Sequence, residues 1–210
     1  MKNLYIVGAG GLGRKLSVCL RRLNEDNRWD IKGFLDDNED ALANTKCDLE
    51  VVGSISEYVP QDDDVLVMGI SNPKAKHTVS DLLLAKGAKF ETVVSPDVIL
   101  GDYVEIGEGS VVMTPYNVES CVKIGRFVTL LGSTIALDGV IDDYATTAGF
   151  ANLTCSHIGK EAYVGSHAVV LSNCTVGEGA FVSVGSIVMK DVEPYTQVFG
   201  CPARVIGKRD

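Results

Sequence analysis

The sequence predicts a two-part chain: an α/β half-Rossmann unit over residues 1–94, then a parallel β-helix over residues 95–210. Three observations predict it. A glycine run, Gly8-Ala9-Gly10-Gly11-Leu12-Gly13, joins a strand-like apolar segment to a helix-like one. An aliphatic residue recurs every six positions at Leu100, Ile106, Val112, Val118, Ile124 and Leu130, and again from Ile158 to Val188. Glycine directly follows several of these residues, as at Gly107, Gly125, Gly165 and Gly177. A repeat this short can bury its apolar residues only by stacking one coil on the next.

In the first part, Leu4-Tyr5-Ile6-Val7 reads as a buried strand, and Leu12, Leu16, Leu20 and Leu23 follow at helical spacing. The glycines therefore sit on a strand-to-helix turn, whose amides and helix dipole can receive phosphate oxygens. A second strand, Ile31 to Leu35, ends in Asp36-Asp37, where an acid that reads ribose or base belongs. A third, Val65 to Gly69, leads to Ser71-Asn72-Pro73, an N-cap with proline at the first helical position. The helix after it runs to about Lys86, Gly87 closes it, and a fourth strand covers Phe90 to Val94. The turn admits three readings: a nucleotide-sugar or similar phosphate ligand, a pyridine nucleotide, or a purely structural turn.

In the second part the coils begin near Ile99, at about eighteen residues per turn. The count slips twice, between Leu130 and Ile141 and between Leu153 and Ile158, each time by one residue. Departures from a repeat re-aim side chains, so the site is expected in the middle coils.

Composition bounds the rest. With 46% apolar and 22% charged residues the chain is an ordinary folded protein. Its net charge of −9 makes a nucleic-acid backbone a poor partner. The opening apolar run is too short for a signal peptide or a membrane span, so no membrane is expected and the cytoplasm is the expected location. Six scattered cysteines show no paired metal spacing, so they are expected to be reduced and no metal site is expected.

The ending, from Gly185-Ser186-Ile187-Val188-Met189-Lys190 on to Gly200-Cys201-Pro202-Ala203-Arg204, resembles that of the hexapeptide-repeat acyl-CoA-dependent acyltransferases. With Val7-Gly8-Ala9-Gly10-Gly11, Phe34-Leu35-Asp36-Asp37 and Gly69-Ile70-Ser71-Asn72, the resemblance extends over residues 3 to 207. It points to the subgroup of sialic-acid O-acetyltransferase-like proteins and UDP-4-amino-sugar N-acetyltransferases. It implies a left-handed β-helix, a homotrimer, and acetyl-CoA held between neighbouring prisms as co-substrate. Carried over, Gly8, Gly10 and Gly11 would approach the diphosphate, Asp36 and Asp37 would read the uracil or ribose, and Ser71 and Asn72 would complete the pocket. Gly165, Ser183 and Gly185 would line the pantetheine, and Lys190 and Arg204 would meet the CoA phosphates.

The chain departs from the family at the base. The catalytic histidine position of the family falls on Leu137, with Asp138 kept beside it, and a second family histidine falls on Thr146. Leucine cannot move a proton. His157, inside the second slip, and His167, on a neighbouring coil, are the candidate replacements, with Asp138 orienting nearby groups. The implied activity is acetyl transfer to a nucleotide-linked amino sugar for surface-glycan assembly. Its rivals are O-acetylation of a sialic-acid-like sugar and a non-catalytic trimer that binds nucleotide sugar and CoA.

Overall fold

The computed structural model describes residues 1–209 and divides into two compact units, Met1–Val93 and the chain from Val94 onward. In the first, β1 (Lys2–Val7), β2 (Trp29–Leu35), β3 (Val51–Gly53) and β4 (Asp64–Met68) form a parallel sheet in the order β3-β2-β1-β4. Helix α1 (Gly11–Leu23) follows β1, and α2 (Pro73–Ala85) follows β4. The leucine stripe of α1 is its core face, with Leu12, Leu16 and Leu20 buried. That helix approaches the sheet closely because Gly13 has no side chain: a Cβ there would lie 1.9 Å from the Gly8 carbonyl oxygen.

Two expectations need correction. The three-residue β3 was not foreseen, being too short and too exposed to show any periodicity. The fourth strand expected over Phe90 to Val94 does not form: Phe90 makes a single parallel bridge to Leu66, and only Val93–Val94 is extended as a strand.

The second unit is a left-handed parallel β-helix with three flat faces. One face stacks Ile106, Ile124, Ile141, Ile158 and Val176; the next stacks Val112, Leu130, Thr147, Val164 and Val182; the third stacks Leu100, Val118, Ile135, Leu153, Val170 and Val188. From Val112 onward these residues are buried almost completely, so the sixfold count is the core of the prism. The glycine after an inward residue has a steric cause. A Cβ on Gly107 would sit 2.6 Å from the Gly125 backbone, and one on Gly165 2.7 Å from the Val184 nitrogen.

Both slips are corners shortened by one residue. Val112 leads to Val118 in six steps, but Leu130 reaches Ile135 in five, through Gly132 at a φ of +64°. Leu153 reaches Ile158 in five through Thr154-Cys155-Ser156. The first short corner also explains a threonine among aliphatic residues. The Thr147 hydroxyl pairs with the buried Ser133 hydroxyl at 2.6 Å, and Ser133 donates to the Ala148 carbonyl at 3.0 Å. The coils fall back into register at once on either side.

Candidate functional site

The strand ends of the first unit enclose a cavity of about 360 Å³. All seven residues expected to face a nucleotide line it: Gly8, Gly10, Gly11, Asp36, Asp37, Ser71 and Asn72. Gly10 caps α1 with no side-chain hydrogen bond, and no acid stands in the first helical turn, which leaves the positive end of the helix facing the cavity. No atom lies within 4 Å of the place a Cβ would take on Gly10 or Gly11, so this wall is bare backbone.

The two aspartates differ. Asp36 Oδ2 accepts the Ala9 N–H at 2.8 Å and its Oδ1 accepts the Asn38 N–H at 3.0 Å, so this carboxylate ties β2 to the glycine turn. Asp37 Oδ1 accepts the Ser54 hydroxyl at 2.6 Å and the Ser56 N–H at 2.9 Å. These bonds, the Ser54 hydroxyl first, hold its pKa below the ordinary carboxylate value. The Asn72 side chain accepts the Ala75 N–H at 3.0 Å as the N-cap of α2. Ile55, which also lines the cavity, lies in a loop that no periodicity marks.

In the prism, Lys190 and Arg204 line one cavity of about 380 Å³ between the last coil and the returning tail strand. Its walls include Met189, Val198 and Val205; of its acids, Asp191 accepts the Thr175 N–H at 2.8 Å. Gly165, Ser183 and Gly185 lie outside this cavity. Gly165 is packed under the next coil, Ser183 is buried and accepts from Gln197 Nε2 at 3.3 Å, and Gly185 is a left-handed corner with open space beside it.

The middle coils carry a groove of about 480 Å³ on the outer side of the third face, lined by Asn117, Glu119, Thr134, Ala136, Asn152 and Thr154 among others. Leu137 stands on the adjacent corner, 45% exposed. Its N–H donates to Glu119 Oε2 at 2.9 Å, and its carbonyl accepts the Cys155 thiol at 2.9 Å. Asp138 follows in a left-handed conformation, φ +58°, its N–H bonded to the Ser120 carbonyl.

His157 is the first residue past the shortened corner, and its side chain turns out from the first face. Its Nε2 lies 2.7 Å from Asp142 Oδ2, both groups about half exposed. Neither His157 nor Asp138 lines the groove. Asp142 escapes sequence reasoning because its nearness depends on register: Val140 pairs with His157, and Asp142 comes two residues after Val140. His167 is a left-handed corner residue stacked on Phe150, ring centroids 4.9 Å apart. Thr146 is fully buried. Among the described residues all six cysteines are free, no cluster of His, Cys, Asp or Glu could hold a metal ion, and no helix is long and apolar enough to cross a membrane.

An α/β unit with a cavity at its strand ends, followed in one chain by a left-handed hexapeptide prism, defines a class of two-unit hexapeptide-repeat proteins. Comparison with known proteins places the chain within that class. The family model of the PglD N-terminal domain matches residues 3–83. WeeI from Acinetobacter baumannii is 30% identical over 98% of this chain and 100% of its own, with a TM-score of 0.84. The chain belongs to the hexapeptide-repeat sugar acyltransferase family.

Two further structures share the fold at lower identity. The acetyltransferase domain of PglB from Neisseria gonorrhoeae, in complex with acetyl coenzyme A, has a TM-score of 0.86 at 23% identity, over 98% of this chain and 99% of that one. Perosamine N-acetyltransferase from Caulobacter crescentus, a histidine variant in complex with CoA and GDP-perosamine, has a TM-score of 0.86 at 20% identity, over 99% and 98%. Among curated sequences, the bifunctional protein GlmU of Thermotoga petrophila is 25% identical over 146 residues. The match spans 60% of this chain and 32% of GlmU, about a third of that relative's length.

Proposed function

We propose that this protein transfers an acetyl group from acetyl-CoA to a nucleotide-linked amino sugar, working as a homotrimer in the cytoplasm. The observation that carries the reading is the convergence of all seven nucleotide-facing residues on the cavity at the strand ends. Bare amides at the start of α1 suit a diphosphate. Asp37, held ionised by Ser54 and Ser56, suits a ribose hydroxyl or a uracil N–H, and Asp36 keeps the glycine turn in place. At the far end of the prism, Lys190 and Arg204 share a part-apolar cavity and would meet the CoA phosphates.

The relatives support both ligands. Solved structures of like fold hold acetyl coenzyme A in one case, and CoA with GDP-perosamine in another. Gly165, Ser183 and Gly185 are proposed as pantetheine contacts on the same coils. The exposed Leu137 is the specific observation behind the rival reading, a trimer that binds both ligands without chemistry.

The test is release of free thiol from acetyl-CoA, offered UDP- and GDP-linked 4-amino sugars and a sialic-acid-like sugar. Turnover with an amino sugar is the expected result. Turnover with the sialic-acid-like sugar alone would make the enzyme an O-acetyltransferase. Binding of both ligands without turnover on any acceptor would overturn transfer and leave the binding trimer.

A further inference from the structure

Acetyl transfer to an amine must dispose of a proton. The nitrogen attacks the thioester carbonyl carbon, the C–S bond breaks, and coenzyme A leaves as the thiol. The nitrogen keeps the acetyl group and gives up one proton, which balances the thiol. With leucine at position 137, another group must carry that proton.

Resting on the transfer reading above, we infer that Glu119 holds the acceptor's amino group and takes its proton. Two observations converge on it. Glu119 stands one coil earlier, in register with Ala136, and reaches up to Leu137, whose N–H fixes Oε2 at 2.9 Å. That bond orients the carboxylate and leaves Oε1 for a ligand. Glu119 is also the one charged residue among those lining the groove, whose other polar walls are Tyr116, Asn117, Thr134, Asn152 and Thr154. A single anion among neutral hydrogen-bonding groups selects a cation, and an amino sugar supplies it as an ammonium, which gives one proton to Glu119 to free its lone pair and, after attack, a second to the departing thiolate.

The other titratable groups nearby, Tyr116 apart, lie outside the groove or are bonded elsewhere. His157 lies outside the groove lining, with its Nε2 on Asp142. Asp138 lies outside it on the strained corner. The Cys155 thiol is bonded to the Leu137 carbonyl. Tyr116 also lines the groove, as a phenol beside the carboxylate. Glu119 therefore replaces the missing histidine from the coil below rather than from the same position.

Steady-state thiol release with a UDP-4-amino sugar tests this on Glu119→Gln, Glu119→Ala and His157→Ala, with acetyl-CoA binding measured on each. The neutral isostere Glu119→Gln is expected to lose about a hundred- to ten-thousand-fold in kcat, with acetyl-CoA binding intact. Added formate is expected to restore part of the rate to Glu119→Ala, a result that a merely structural role would not give. Wild-type kcat in Glu119→Gln overturns the inference alone. So does a loss confined to His157→Ala, which would move the proton to the His157–Asp142 pair. A Glu119→Gln protein that no longer binds acetyl-CoA would make Glu119 a structural anchor of the corner, and overturns it too. A wild type that turns over no acceptor removes the transfer reading and this one together.

Discussion

The two units build their sites by opposite means. In the amino-terminal unit, residues far apart in sequence meet because parallel topology brings every strand end to one rim, so Gly8, Asp36 and Ser71 share a cavity. In the prism no such convergence exists. An outward side chain meets chiefly what lies on the coils stacked above and below it, and its neighbours are set by coil register. Because Ile158 stacks on Ile141, His157 just before the one stands beside Asp142 just after the other. Function in the first unit follows from topology; in the second it follows from the register of one coil on the next.

The comparison can be broken or sharpened by unfolding experiments, because the chain's only tryptophan, Trp29, is buried in the first unit. Its fluorescence reports that unit, while far-UV circular dichroism draws on both. The largest effect is expected from Ile158→Ala. It empties a fully buried site in the prism stack and should cost about 2–5 kcal/mol in urea. The loss should appear in the circular dichroism and leave the Trp29 midpoint alone. An equal shift in both signals would mean that the units unfold together, and the contrast would fail.

Next in size is Gly13→Ala, which drives a methyl group into the Gly8 carbonyl oxygen and should cost about 3 kcal/mol. Here the Trp29 transition should move first. Asn72→Ala removes the N-cap of α2 and should cost about 1 kcal/mol, again seen by Trp29.

The smallest effect is expected from acid. Burial raises the pKa of Asp64, but hydrogen bonds from Tyr58, Asn3 and the Gln61 N–H, with the Lys32 charge, outweigh it and leave it below 3.8. Asp37 is lowered by Ser54 and Ser56. A carboxylate with a depressed folded pKa contributes stability above its unfolded pKa and loses it as pH falls through the folded value. Both belong to the first unit, so its stability should fall below about pH 4. Asp64→Asn should flatten that dependence as followed by Trp29, and an unchanged acid profile would discard Asp64 as its source.

How far the sequence could be read follows the same divide. Hydrophobic period and turn chemistry make β1, α1, α2 and the prism core legible, because each is a local pattern. The nucleotide-facing residues were legible because they flank strand ends. What escaped depends on distant partners. Val51–Gly53 becomes a strand only by pairing with β2, and Phe90 to Val94 pairs with the first sheet at Phe90 alone. Asp142 and Glu119 are unremarkable in a linear string; each gains meaning only once the register of one coil on the next fixes which residues stand beside them. Counting coils with the deletions included would have found both.

The immediate recovery of register after each short corner has a consequence for how such a chain can change over time. Ile141 still stacks on Ile124 and Ile158 on Ile141, so a residue lost at a corner never reaches the core. Length can therefore drift at the edges of the prism while its interior stays the same. Each gain or loss changes only the side chains at the corner itself, while outward residues on the faces, such as Val140 and His157, stay paired. A catalytic group can then be abandoned at one rung and taken up from the rung below, and the fold itself need not be rebuilt.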